Sequence, residues 1–131
     1  MFRSLFSFSG AVGAALVLAA VSPQVANAAD EPVVVVVKVY PGVGREDELQ
    51  ARYLKQAEFL RRMEPNASFR LHRSLKEPVT FLWYETYPSQ AALESHLKVA
   101  MPAFRKEFGP TPEGLVARPS DSDTYQELAK Q

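Results

Sequence analysis

Cysteine is absent from all 131 residues, which removes disulfides, thiol nucleophiles and Cys metal sites together. Histidine occurs only twice and tryptophan once. No HExxH, CxxC or clustered His/Asp set stands in the sequence, so no metal site is expected. The six glycines build no phosphate loop, because neither GxxxxGKS/T nor GxGxxG follows a strand. No serine sits in a nucleophile elbow. An excess of charge is also missing: 15 basic side chains face 15 acidic ones, interspersed as on a solvated surface. That balance gives no electrostatic reason to bind nucleic acid.

A long hydrophobic run is lacking as well. The apolar stretch Ala11–Val21 falls well short of the roughly 20 residues that span a bilayer. With Arg3 before it, Pro23 after it and Ala26-Asn27-Ala28 at the cleavage positions, it has the layout of a secretory signal peptide. The expectation is that residues 1–28 are a signal peptide cut after Ala28, and residues 29–131 one periplasmic or secreted domain. No membrane attachment would remain, and no Cys follows the run to carry a lipid anchor. Without Arg3 the mature chain has 14 basic against 15 acidic side chains. A core of roughly 100 residues is small, which makes oligomerisation a natural source of further burial.

The stretch Pro78–Leu97 organises what is present. Apart from Leu82 and Glu85, every residue from Val79 to Tyr87 is β-branched or aromatic, which reads as a strand. Pro88 ends it, and Ser89 is placed as the N-cap of a helix whose apolar stripe opens at Ala91, Ala92 and Leu93. Upstream, Pro32–Tyr40 holds five consecutive valines. Apolar on both faces, it is expected to be a central strand covered on one side by helices and on the other by a partner subunit. A turn at Pro41–Gly44 leads to an amphipathic helix over Arg45–Glu64. Leu49, Tyr53, Ala57 and Leu60 form its stripe, Leu54 and Met63 widen it, and Arg52, Lys55, Arg61 and Arg62 are expected in solvent.

Ala67–Leu75 alternates and should form a hairpin with the aromatic strand through Leu75–Pro78. That register sets Phe69 against Tyr84 and Leu71 against Leu82. It gathers Arg70, His72, Phe81, Trp83 and Glu85 on the other face. The second helix is expected over Ser89–Val99, interrupted at Met101-Pro102 and renewed over Pro102–Phe108. Gly114–Ala117 is read as one further turn and Thr124–Leu128 as a last strand. The order is β-α-β-β-α-β: an α+β, ferredoxin-like sandwich with an antiparallel sheet.

Three residues stand out chemically. His96 lies three positions after Leu93, facing inward or at the margin, where it serves as a base or simply packs the helix. Trp83 stacks on a flat ligand or fills the core. Glu85, in an apolar strand, needs a partner, an edge or a task, and Arg70 is the diagonal candidate. His72 is expected to be partly exposed.

The sequence FLWYETYPSQAALESHL, with a first strand ending VKVYPG, an acidic helix start and the hairpin, resembles the antibiotic biosynthesis monooxygenase (ABM) domain over Val33–Leu128. The resemblance implies a dimeric α/β-barrel, in which two ferredoxin-like protomers pack sheet on sheet. For the members that oxidise quinols or polyphenols with dioxygen it also implies no metal or flavin cofactor. His96 matches the family's helix His, and Tyr84 and Glu85 its strand pair. These three are the expected catalytic residues, with Trp83 and Arg70 as substrate-binding neighbours. The small aromatic substrate and dioxygen would be the partners, within a homodimer. Haem-degrading members carry an Asn on the first strand, a Trp on the second helix and a later His. Here Val35 and His96 take the first two places and no His follows. The chain also has Val99-Ala100-Met101-Pro102 where many members carry a Phe-containing segment. The resemblance points to a quinol-type monooxygenase, and alternatively to a non-catalytic small-ligand-binding or stress-response domain of the same fold.

Overall fold

The computed structural model describes residues 31–128. The expected signal peptide and its cleavage site fall outside them. Four strands and the helices follow in the expected order. They are β1 (Val33–Val39), α1 (Glu46–Met63), β2 (Ser68–Arg73), β3 (Phe81–Tyr87), α2 (Gln90–Ser95), α3 (Met101–Phe108) and β4 (Asp121–Gln126). The sheet is antiparallel in the order β2-β3-β1-β4, the ferredoxin-like arrangement. The valine run is therefore interior in the sheet, flanked by β3 and β4.

Both helical segments cover one face of the sheet. Against them lie Val33, Val35 and Val39 from β1, Phe69 from β2, and Phe81, Trp83 and Tyr87 from β3, with Leu49, Ala57 and Leu60 from α1. Phe69, Phe81 and Tyr87 are almost wholly buried, and a fully buried ring of this kind contributes about 2–3 kcal/mol. Tyr53 meets Phe81 and Trp83 edge-on, at centroid distances of 6.0 and 5.3 Å. Leu54 and Met63 are exposed, so the stripe of α1 is narrower than its sequence suggests.

The hairpin register differs from expectation by one residue. Phe69 pairs with Glu85, Arg70 with Tyr84, Leu71 with Trp83 and His72 with Leu82. The connection is longer than Leu75–Pro78: Ser74 N–H donates to the Thr80 carbonyl, and Thr80 N–H to Ser74 Oγ. A slip of one residue exchanges the faces of a strand. Phe69 and Leu71 thus share the helix-covered face with Trp83 and Glu85, while Arg70, His72 and Tyr84 lie on the other. His72 is exposed, as expected.

The chain from Gln90 to Phe108 is not broken at Met101-Pro102. It passes through a wide turn, His96–Ala100, in which Met101 N–H donates to the His96 carbonyl. Pro102 has no N–H and its ring crowds the carbonyl four residues back, and a wide turn gives that ring room. The stretch at Gly114–Ala117 is a turn and a bridge, Val116 to Pro41, rather than helix. β4 starts earlier than expected and is exposed along its whole length.

Candidate active site

Between the helices and the sheet lies a cavity of about 450 Å³. One side of α1 lines it at every turn, because residues four apart share a helix face: Arg52, Gln56 and Leu60. The same spacing leads on to Glu64, the C-cap residue. Val35, Val37, Val39, Trp83 and Glu85 form the floor, and the segment from Leu93 to Arg105 forms the far wall. The chain after α3 closes the remaining side with Gly109, Thr111, Arg118 and Ser120.

His96 is 5% exposed and lies beside the rings of Phe69 and Tyr87, at centroid distances of 5.9 and 5.1 Å. Its Nδ1 is 2.7 Å from Glu64 Oε2, and both side chains are largely shielded from water. A carboxylate on Nδ1 fixes the tautomer and orients the ring. Nε2 is then the nitrogen left for the cavity. Glu64 went unnoticed in the sequence, yet there was a signal. An acid at the C-terminal end of a helix sits at the wrong pole of the dipole, so its placement calls for a partner elsewhere.

Glu85 lines the cavity as well. Its partner is the Tyr87 hydroxyl, which donates to Oε2 at 2.7 Å, and not Arg70, which lies across the sheet. Burial pushes the Glu85 carboxyl above the ordinary carboxylate range, opposed by that hydrogen bond and by nearby His96. Burial also raises the Tyr53 hydroxyl to about 12 and the Tyr87 hydroxyl further, so both remain protonated donors.

Of the five residues singled out in the sequence, the fold therefore gathers three: His96, Glu85 and Trp83. Tyr84 and Arg70 lie on the opposite face, outside this cavity, because side chains alternate along a strand. Arg52, expected in solvent, instead lines the cavity and donates through Nη2 to the carbonyls of Phe108, Gly109 and Pro110 at 3.1–3.3 Å. Its Nε is buried without a partner. Among the described residues, no group of three or more His, Asp or Glu is placed to hold a metal ion.

The sequence profile of the antibiotic biosynthesis monooxygenase (ABM) family matches residues 32–106, more than half of the chain. The chain belongs to the antibiotic biosynthesis monooxygenase family. No curated protein matches it. Its ABM fold is shared by a Caulobacter crescentus CB15 protein named for the antibiotic biosynthesis monooxygenases (20% identity, TM-score 0.63, covering 77% of this chain and 93% of that one). Protein SO0527 from Shewanella oneidensis is similar too, at 23% identity and TM-score 0.62, covering 75% and 92%. So is a MhuD variant, at 16% identity and TM-score 0.62, covering 76% and 97%. That protein holds two manganese protoporphyrin IX molecules per active site. The ABM family includes both monooxygenases and haem-degrading proteins, and at these identities the solved structures establish the fold.

Proposed function

We propose that this ABM domain is an exported, cofactor-free monooxygenase that oxidises a quinol- or polyphenol-type aromatic with dioxygen. The observation that carries this reading is the buried His96–Glu64 pair beside a cavity of about 450 Å³ walled by Val, Leu, Trp and Phe side chains. That volume is in the range of small-molecule sites. With Nδ1 engaged by Glu64, Nε2 takes the proton of a substrate hydroxyl. The phenolate that results is rich enough in electrons to reduce dioxygen. One oxygen atom enters the ring and the other leaves as water, so a hydroquinone and dioxygen give a hydroxyquinone and water. The Gln56 amide, on the same wall, supplies a donor for developing negative charge. Val35 offers the cavity an aliphatic surface, which favours quinol oxidation over haem degradation.

Oxygen uptake with a panel of hydroquinones tests the reaction. His96→Ala is expected to slow it at least about a hundredfold, and Glu64→Gln, which keeps a hydrogen-bonding oxygen without the charge, about tenfold. Wild-type rates in His96→Ala would remove the base. If no hydroquinone turns over while quinones still raise the melting temperature, the domain binds ligands without catalysis. Export carries its own measurement: the intact mass of protein recovered outside the cytoplasm should correspond to a chain starting at Ala29.

A further inference from the structure

The cavity has two chemically different ends. α1 runs antiparallel to β1, so the C-terminal end of α1 and the first half of β1 lie together at the His96 end. Arg52 lies twelve residues before Glu64, about 18 Å along the helix axis. On β1, Val35 faces Glu85 across the ladder, while Tyr40, just past the strand, is five residues or about 16 Å further on. α3 leads the same way, since Arg52 reaches the Phe108 carbonyl at its end. Three arginines, Arg52, Arg105 and Arg118, line the cavity, whereas Glu85 is the single acid lining it and belongs with His96 at the other end.

None of the three guanidinium groups is in a salt bridge among the described residues. Arg118 is held by stacking on the Tyr40 ring, 3.6 Å from the centroid, while the Tyr40 hydroxyl occupies the nearby Asp121 carboxylate. Arg52 is anchored by three carbonyls and keeps a buried Nε without an acceptor. Planar guanidinium groups of this kind suit a carboxylate, sulfonate or phosphate, which they can bind through paired N–H donors.

We infer that the cavity selects an aromatic substrate carrying an anionic group at the end remote from its reacting hydroxyl. The anion rests among Arg52, Arg105 and Arg118, and a substrate body long enough to bridge the cavity carries the hydroxyl-bearing ring to His96. This assignment rests on the quinol-oxidation reading for which ring end reacts, but the anion preference is measurable without turnover. The probes are naphthoquinone and the same quinone bearing a sulfonate on its far ring, with binding followed by quenching of Trp83 fluorescence. Trp83 is the only tryptophan and lines the cavity.

The sulfonated quinone is expected to bind about tenfold more tightly at low salt, with the advantage shrinking as ionic strength rises. In the Arg105→Gln/Arg118→Gln double variant, whose altered side chains are on the exposed rim, the two affinities should converge. Circular dichroism confirms that this variant is folded. Equal affinities in the wild type, no saturable binding of either quinone, or an advantage that survives the double variant would each overturn the inference. If the sulfonate preference holds while no quinol is oxidised, the arginine site stands and the proposed reaction falls.

Discussion

At the scale of single residues, Glu85 sets the electrostatics of the His96 end. Its carboxyl is pushed upward by burial, so the folded protein binds that proton more tightly than the unfolded chain does. Wherever the native state holds more protons, stability falls as pH rises. The loss begins in the ordinary carboxylate range, grows until pH passes the raised native value, and stays constant above it. Gln in place of Glu85 cannot ionise, and its amide oxygen can still accept from the Tyr87 hydroxyl. Glu85→Gln is therefore expected to melt at a higher temperature than wild type at about pH 7, and at the same temperature near pH 3, where both side chains are neutral. Thermal melts at the two pH values decide it. A lower melting temperature at neutral pH would mean that attraction between the Glu85 carboxylate and His96 outweighs the cost of burial.

At the scale of elements, the cavity depends on how the chain after α3 returns to the sheet. Gly42 N–H donates to the Leu115 carbonyl and Ala117 N–H to the Tyr40 carbonyl, at 2.9 and 2.8 Å. These contacts bring Arg118 over Tyr40 and seat Val116 and Ser120 on the cavity wall. A Cβ on Gly42 would collide with the backbone carbonyl of Gly114, which has no flexible side chain to yield. Gly42→Ala is expected to destabilise the fold by about 2 kcal/mol or more. Urea unfolding measures the effect, and an unchanged midpoint would show that the 110–119 segment shifts freely. The sequence carried β1, α1, β2, β3 and their order plainly, because valine runs, helical spacing and aromatic strands are strong signals. The hairpin register did not follow from it. Which of Leu75, Lys76, Glu77 and Pro78 closes a loop depends on the Ser74–Thr80 hydrogen bonds, and these form only once the strands meet. β4 was half legible for a related reason: its polar, exposed residues are held by backbone pairing to β1, which leaves little trace in residue type. His96, Trp83 and Glu85 could be found as unusual residues in apolar surroundings and Glu64 by its place at the wrong pole of a helix, whereas Arg52 and Arg118 look like ordinary surface residues until the fold sets them along the cavity.

At the scale of the whole molecule, the sheet has a second face that the helices leave uncovered. Val34 and Val36 lie there, with Tyr84 and Thr86 on one side and Tyr125 on the other, around a groove of about 460 Å³. Val34 is largely shielded by these neighbours, and Tyr84 remains 39% and Tyr125 53% exposed. Arg70, His72 and Lys38 share the face toward its margins, so an apolar centre is edged by polar residues. We propose that a second copy of the chain packs here, sheet against sheet, which gives Tyr84 a place at the subunit contact rather than in the cavity. Burying an arginine at Val36, opposite Tyr84 and Asp123 on its two neighbouring strands, would cost several kcal/mol per interface unless it found a partner. Light scattering on residues 29–131 is expected to give twice the chain mass, and Val36→Arg the mass of one chain. Val43→Arg, at a fully exposed turn on the far side of β1's end, should leave the dimer intact and so separates a lost contact from a general effect of added charge. A monomeric wild-type protein would leave the valine face wet, and the reason for a β1 apolar on both sides would then have to lie in folding speed or in a different partner.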